Sequence, residues 1–267
     1  VAAQTTPSEA PAAVEALDPV PVPAPSVKDV DPALWVVKDA DTTIYLFGTV
    51  HILKPGMGWF DDGVKQAFDA SDRLVLEMVE PSPAESQALF MKLAMDQNGK
   101  TLRSKMTDAD RATYESAMKK IGVPAEGLDP FDPWAAAVTM SVVAMQQKGF
   151  DINSGAEKQL TAAAKAASKP VTGVETMEFQ LGVFDAMSEA EQIRFLIEGA
   201  KDIDNAEANM DRMVELWAKP DPEGLALLMN EGLTSPALYS ALLTNRNANW
   251  ARWVKTQLEK PGTTFLA

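Results

Sequence analysis

Apolar residues form short β-rich runs at both ends of the chain and recur with helical spacing through its middle. Leu34-Trp35-Val36-Val37 and Thr43-Ile44-Tyr45-Leu46-Phe47 flank the polar segment from Lys38 to Asp41. That pattern predicts a β-hairpin, with Asp39 and Asp41 supplying the turn chemistry. Gly48 ends the second strand, and lacking a Cβ it permits a tight exit that turns His51 back over the sheet edge. Val64, Ala67 and Phe68 give residues 61–71 a helical face. Leu74-Val75-Leu76 reads as a short buried strand ending at Glu77, terminated by Pro81 and Pro83.

From about residue 84 to 250 the pattern is mainly helical. Thr107-Asp108-Ala109-Asp110 opens one helix with an N-cap and early acids, and Gly122 closes it. Ser188-Glu189-Ala190-Glu191 is a capping box opening one long amphipathic segment through Phe195, Ile203 and Trp217. Pro170-Val171-Thr172-Gly173-Val174-Glu175 interrupts as another short strand, with a helix over 176–187 behind it. Thr263-Thr264-Phe265-Leu266 reads as a last strand entering the sheet. The expected fold is α+β or mixed α/β: a small mixed sheet built from both chain ends and the middle, with a large helical section packed on it.

Residues 1–32 stand apart. They are mostly Ala, Pro, Val and acids, and Pro19, Pro21, Pro23 and Pro25 alternate in a way that favours polyproline II over a helix. We expect a disordered leader or tether there, followed by a single domain over 33–267. Val1-Ala2-Ala3 before Gln4 suits the small-residue end of a secretory cleavage site. The expectation is a bacterial protein, periplasmic or secreted, whose signal peptide is already absent. The longest nearly apolar stretch, residues 134–145, has 12 residues, whereas a helix needs about 20 to span a bilayer. It reads as a buried helix, and no transmembrane segment is expected.

Composition narrows the chemistry. With no Cys, a disulfide scaffold, a thiol nucleophile and cysteine-ligated metals are excluded. A single His excludes any self-contained centre that needs two. A net charge of −14 argues against binding a phosphate backbone, so no nucleic-acid partner is expected. Carboxylates, hydroxyls, amides and one imidazole are left.

His51, Glu77 and Glu175 each stand at the carboxyl end of an expected core strand, where open α/β sheets collect ligands. One imidazole beside two carboxylates can hold a divalent ion or activate water. Each also has an ordinary reading. His51 can be a satisfied structural residue, Glu77 can pair with Arg73 or another Arg, and Glu175 can be the acidic start of the following helix. Glu157, in Gly155-Ala156-Glu157, reads as a first-turn acid. Arg246 could clamp a carboxylate bidentately, while Trp250, Trp253, Val254 and Leu258 form an apolar stripe suited to core packing.

Several of these segments together resemble the TraB/GumN family. The likeness is carried by Leu34-Trp35-Val36-Val37, Tyr45-Leu46-Phe47-Gly48-Thr49-Val50-His51-Ile52-Leu53, Trp59, and Leu74-Val75-Leu76-Glu77-Met78. Gly155-Ala156-Glu157, Gly173-Val174-Glu175-Thr176 with Gln180, and Arg246-Asn247 continue it in consistent order over residues 33–267. The family is related to Tiki-type metalloproteases and, distantly, to erythromycin-esterase-like hydrolases. The resemblance implies an α/β core and a hydrolytic site built on Gly-x-x-His and glutamates. It implies catalytic roles for His51, Glu77, Glu175 and Arg246, the first three also as metal ligands. It further implies a second Gly-x-x-His, which we expect to follow Ala267.

The leading expectation is therefore a divalent-metal-dependent hydrolase, plausibly a peptidase, with Mn²⁺ or Co²⁺ suggested by the Tiki resemblance and metal-activated water as nucleophile. Its partner would be a peptide or small-molecule substrate. A second expectation is metal-free hydrolysis in the erythromycin-esterase manner, with His51 oriented by Glu77. A third is a non-catalytic exported binding or accessory protein linked to envelope polysaccharide. Oligomeric state is not legible in the sequence.

Overall fold

The computed structural model describes residues 28–219, 221–231 and 239–267. Its strands are β1 (Lys28–Asp29), β2 (Leu34–Lys38), β3 (Thr42–Phe47), β4 (Met57–Gly58), β5 (Arg73–Met78), β6 (Val171–Glu175) and β7 (Gly262–Leu266). The main sheet has the order β2-β3-β7-β5-β6. β2 and β3 form the expected antiparallel hairpin, with Leu34 opposite Phe47. Asp39 makes the turn, its carboxylate accepting from the backbone N–H groups of Asp41 (3.2 Å) and Thr42 (2.9 Å). All other pairings are parallel, so β3, β7, β5 and β6 end at one edge. The C-terminal strand lies at the centre, where Phe265 pairs with both Tyr45 and Leu74 and is fully buried. A run such as Thr-Phe-Leu suits that place because a central parallel strand is covered on both faces. The mixed sheet of both ends and the middle is as the pattern predicts.

The helices are α1 (Asp62–Ala70), α2 (Pro83–Ala94), α3 (Asp108–Lys120), α4 (Pro133–Gln147), α5 (Ala156–Ala166), α6 (Met177–Asp185), α7 (Glu189–Lys201), α8 (Ala206–Trp217), α9 (Pro222–Glu231) and α10 (Asn245–Gln257). α1, α5 and α8 bury one face of the sheet, around Phe47, Trp59, Phe68, Trp217 and Phe265. The rings of Phe47 and Trp59 stack at 5.3 Å, and the Trp217 indole donates to the Gly48 carbonyl at 2.7 Å. α10 covers the opposite face, its Trp250, Trp253, Val254 and Leu258 packing on Ile44, Val75 and Leu266. Among the described residues, no helix is long and apolar enough to cross a membrane.

α3, α4 and α7 form a separate core beside the sheet. Thr107 caps α3 and a reciprocal box between Ser188 and Glu191 caps α7, as their sequences predict. Lys105, 1% exposed, is held there by Asp96 at 2.5 Å and Asp132 at 2.8 Å. Its hydrogen bond helps hold the Asp96 carboxyl down to about 2.

Two expectations change. The long amphipathic segment is two helices: α7 ends at Lys201 and α8 starts at Ala206. Between them the Asn205 N–H donates to the Asp202 carbonyl at 2.9 Å and the Ala206 N–H to that of Ile203 at 3.4 Å, three-residue turns that replace the helical ladder. Phe195 and Ile203 thus serve the helical core and Trp217 the sheet. The leader boundary also moves. Residues 28–32 belong to the fold, with β1 pairing in parallel with β4 and Val30 buried. The alternating prolines lie outside the described residues.

Candidate active site

Because β3, β5, β6 and β7 run parallel, whatever follows them projects from the same edge. Glu77 lies in the last turn of β5, Glu175 ends β6 in register with Met78, and His51 follows β3. The end of β7 is here too: the Glu77 N–H donates to the Ala267 carbonyl at 2.7 Å. Arg246 reaches in from the first turn of α10.

Arg246 clamps Glu175 as a fork. Its Nε lies 2.9 and 3.1 Å from the two carboxylate oxygens, and Nη2 donates to Oε2 at 2.8 Å. Nη2 also donates to Oε1 of Glu77. The Gln180 amide from α6 bridges the same carboxylates, at 2.6 Å to Glu77 and 3.0 Å to Glu175. The Trp250 indole gives Glu175 a further hydrogen bond at 2.9 Å. Burial, with the Glu175 side chain only 6% exposed, pushes its carboxyl up, but the donors of Arg246, Gln180 and Trp250 outweigh this and hold it below the ordinary value. Arg246 is correspondingly pushed up by Glu175 and Glu77 against its own desolvation.

His51 is positioned from the other side. Leaving β3, the chain pairs Leu53 with Asp151, and the Ala156 N–H donates to the Val50 carbonyl at 3.0 Å. Gly155 makes this approach possible, since a Cβ there would stand 2.2 Å from the His51 carbonyl oxygen. The close contact sets the start of α5 under His51 and brings Glu157 to it, with His51 Nδ1 2.6 Å from Glu157 Oε1. Facing an ionised carboxylate, Nδ1 carries the proton, and Nε2 is left with no protein partner among the described residues. The imidazole is 69% exposed. The Glu157 hydrogen bond raises the His51 pKa against burial, with the charge of Glu77 adding and that of Arg246 opposing. Burial would raise Glu157, but His51 outweighs it and the carboxyl is lowered.

The structure thus brings His51, Glu77, Glu175 and Arg246 to one edge, close enough for Glu77 and Arg246 to act on the titration of His51. Two readings of individual residues are revised. Glu157, not Glu77, orients the imidazole. Gly48 is not needed for a tight turn: its φ lies outside the left-handed region, and an added Cβ would meet nothing within 4 Å. Of the arginines open to Glu77, Arg246 is the one that pairs with it, whereas Arg73 donates to Thr264 Oγ1 at 2.8 Å.

The metal set His51, Glu77 and Glu175 does not fit one ion as arranged. Both oxygens of Glu175 are committed to Arg246, Gln180 and Trp250, and the guanidinium holds the cationic place between the carboxylates. Among the described residues, no group of three or more His, Asp or Glu side chains is disposed to hold a metal. Sequence reasoning passed over Glu157, Gln180 and Trp250. Glu157 had a usable signal in Gly155 two residues before it, since a glycine can mark a close backbone approach; the indole of Trp250 had none, since its spacing is that of a core stripe.

A family model described as TraB/PrgY/gumN family matches residues 33–267. A protein of Treponema pallidum (strain Nichols), described as an uncharacterized protein, is 20% identical over 251 residues, covering 87% of this chain and 74% of that protein. No solved structure matches the chain.

Proposed function

The chain belongs to the TraB/PrgY/gumN family, and from that membership and the geometry of the sheet edge we propose that it is a hydrolase acting through His51 as general base. The observation that carries this reading is the 2.6 Å contact of His51 Nδ1 with Glu157 in a mostly exposed imidazole whose Nε2 has no protein partner among the described residues. Glu157 holds the tautomer and stabilises the imidazolium that forms. Nε2 takes a proton from water, which attacks the substrate carbonyl, and later returns it to the leaving group. Arg246 is committed to Glu77 and Glu175, and its part in this reading is to hold the two carboxylates in place at the sheet edge. The hydrolase class is what the TraB/GumN resemblance of the sequence motifs implies, and a peptide is the proposed substrate. A periplasmic or secreted setting belongs to the same proposal.

The test is hydrolysis of a panel of fluorogenic peptides and aryl esters by the wild type and His51→Ala. Cleavage that His51→Ala reduces by about a hundredfold or more is expected for a lost general base. Equal rates for the two proteins across the panel overturn the reading. A second reading places a divalent ion such as Mn²⁺ or Co²⁺ among His51, Glu77 and Glu175, as the family resemblance read from the motifs implies; it requires Arg246 to release Glu175.

A further inference from the structure

A cleft of about 510 Å³ opens between the β2–β3 hairpin and α10. Its walls include Leu46, Val254, Leu266, Trp250 and Trp35, with Gly48 and Asn247 also bordering it. We propose that this cleft is the subsite for an apolar side chain of a peptide substrate, and that Gly48 keeps it open; the assignment rests on the hydrolase reading above.

Five observations converge on it. The cleft adjoins the candidate active site through two of its own residues. The Trp250 indole N–H is bonded to Glu175, and Gly48 begins the short segment that ends at His51. A group seated here therefore lies across the Trp250 indole from Glu175, on the same sheet edge as the candidate active site. The volume lies in the range of ligand-holding sites and leaves room for a leucine or phenylalanine side chain.

Among the described residues no charged side chain lines the cleft, although the chain carries a net charge of −14. An acidic or basic group placed there would lose its hydration without gaining a partner, so the preference is for an apolar group.

Gly48 has no reason within the fold to be glycine. Its backbone is in an ordinary region, and a Cβ would meet nothing within 4 Å. What the missing side chain leaves is space at the cleft. A larger residue at 48 would narrow the subsite without straining the chain.

The peptide class follows from β2. It stands at the edge of the sheet, paired with β3 alone among the described residues, and its Trp35 is 47% exposed where it lines the cleft. An extended peptide can pair with such an edge and direct alternate side chains to one face.

Binding can be read without turnover. In ¹⁵N-labelled protein, the indole N–H signals of Trp35 and Trp250 are followed during titration with N-acetyl-leucine amide, N-acetyl-phenylalanine amide and N-acetyl-aspartate amide. The two apolar amides are expected to shift both signals and to bind about tenfold or more tighter than the aspartate compound. Gly48→Leu should weaken them by a similar factor at an unchanged melting temperature, with Gly48→Ala intermediate. Equal binding of the three amides, or full binding by Gly48→Leu, overturns the assignment. His51→Ala should bind as the wild type does, so hydrolysis can fail while the subsite stands.

Discussion

His51 and Glu157 are 106 residues apart in sequence and meet at 2.6 Å, because the carbonyl of His51 rests against a glycine two residues before the glutamate. Both members are shifted toward the charged form, His51 up and Glu157 down.

A general base acts only when neutral, so the acid limb of the pH–activity curve should lie above 6.5, the ordinary value of an imidazole. Glu157→Gln removes the largest cause of the upward shift and leaves burial to act. The limb should then move to lower pH while the plateau rate falls on the order of a hundredfold. Kinetics of the two proteins across pH check both directions together.

The same pair should be visible in stability. The His51 contribution is fully present below pH 6.5 and is lost as pH rises through its raised pKa. The Glu157 contribution is present above pH 4.5 and is lost as pH falls through its lowered value. The melting-temperature difference between wild type and Glu157→Gln should therefore peak between these values and shrink on either side. Because the imidazole is mostly exposed, the effect should be small and should weaken in salt.

Gly155→Ala and Gly48→Ala make a matched pair. At 155 the new methyl would lie 2.2 Å from a backbone oxygen that cannot rotate away, so the segment must shift, costing about 1–3 kcal/mol. Activity should fall further than stability, as the shift separates His51 from Glu157. At 48 the methyl enters open space, and denaturant midpoints should be unchanged.

Arg246→Met would leave Glu77 and the nearly buried Glu175 without their counter-charge. Breaking such a pair from one side costs about 3–5 kcal/mol, measurable by urea unfolding. Arg246→Lys should recover only part, since one ammonium cannot reproduce the fork of Nε and Nη2. Adding Glu175→Gln to Arg246→Met should restore stability by removing the orphaned charge.

Chelation separates the two hydrolytic readings. With Glu175 committed to Arg246, dialysis against EDTA should leave activity and melting temperature unchanged. Loss of activity that Mn²⁺ or Co²⁺ restores would transfer the site to the metal reading.

Much of the fold was legible because it depends on neighbours in sequence. The Asp39 turn, the Thr107 cap and the Ser188–Glu191 box are each completed within three residues. The strands around Ile44, Val75 and Phe265 announce themselves by runs of residues suited to burial on both faces. The break between α7 and α8 is not legible although its residues are adjacent, since Asp202, Asn205 and Asn209 suit a polar helix face as well as the turn they form.

The site divides along the same line. Its position at strand ends could be read from His51, Glu77 and Glu175, because strand periodicity and Gly or Pro punctuation are local. Which carboxylate serves which cation could not. Arg246 lies 169 residues from Glu77 and 71 from Glu175, and Glu157 is a first-turn acid like many others. Insertion of the last strand between β3 and β5 brings these groups to one edge. By itself, the sequence determined the elements and the edge, since backbone propensities and short-range hydrogen bonds act over a few residues. Only the tertiary structure decided the partners, because distances between remote side chains are set by how the layers pack.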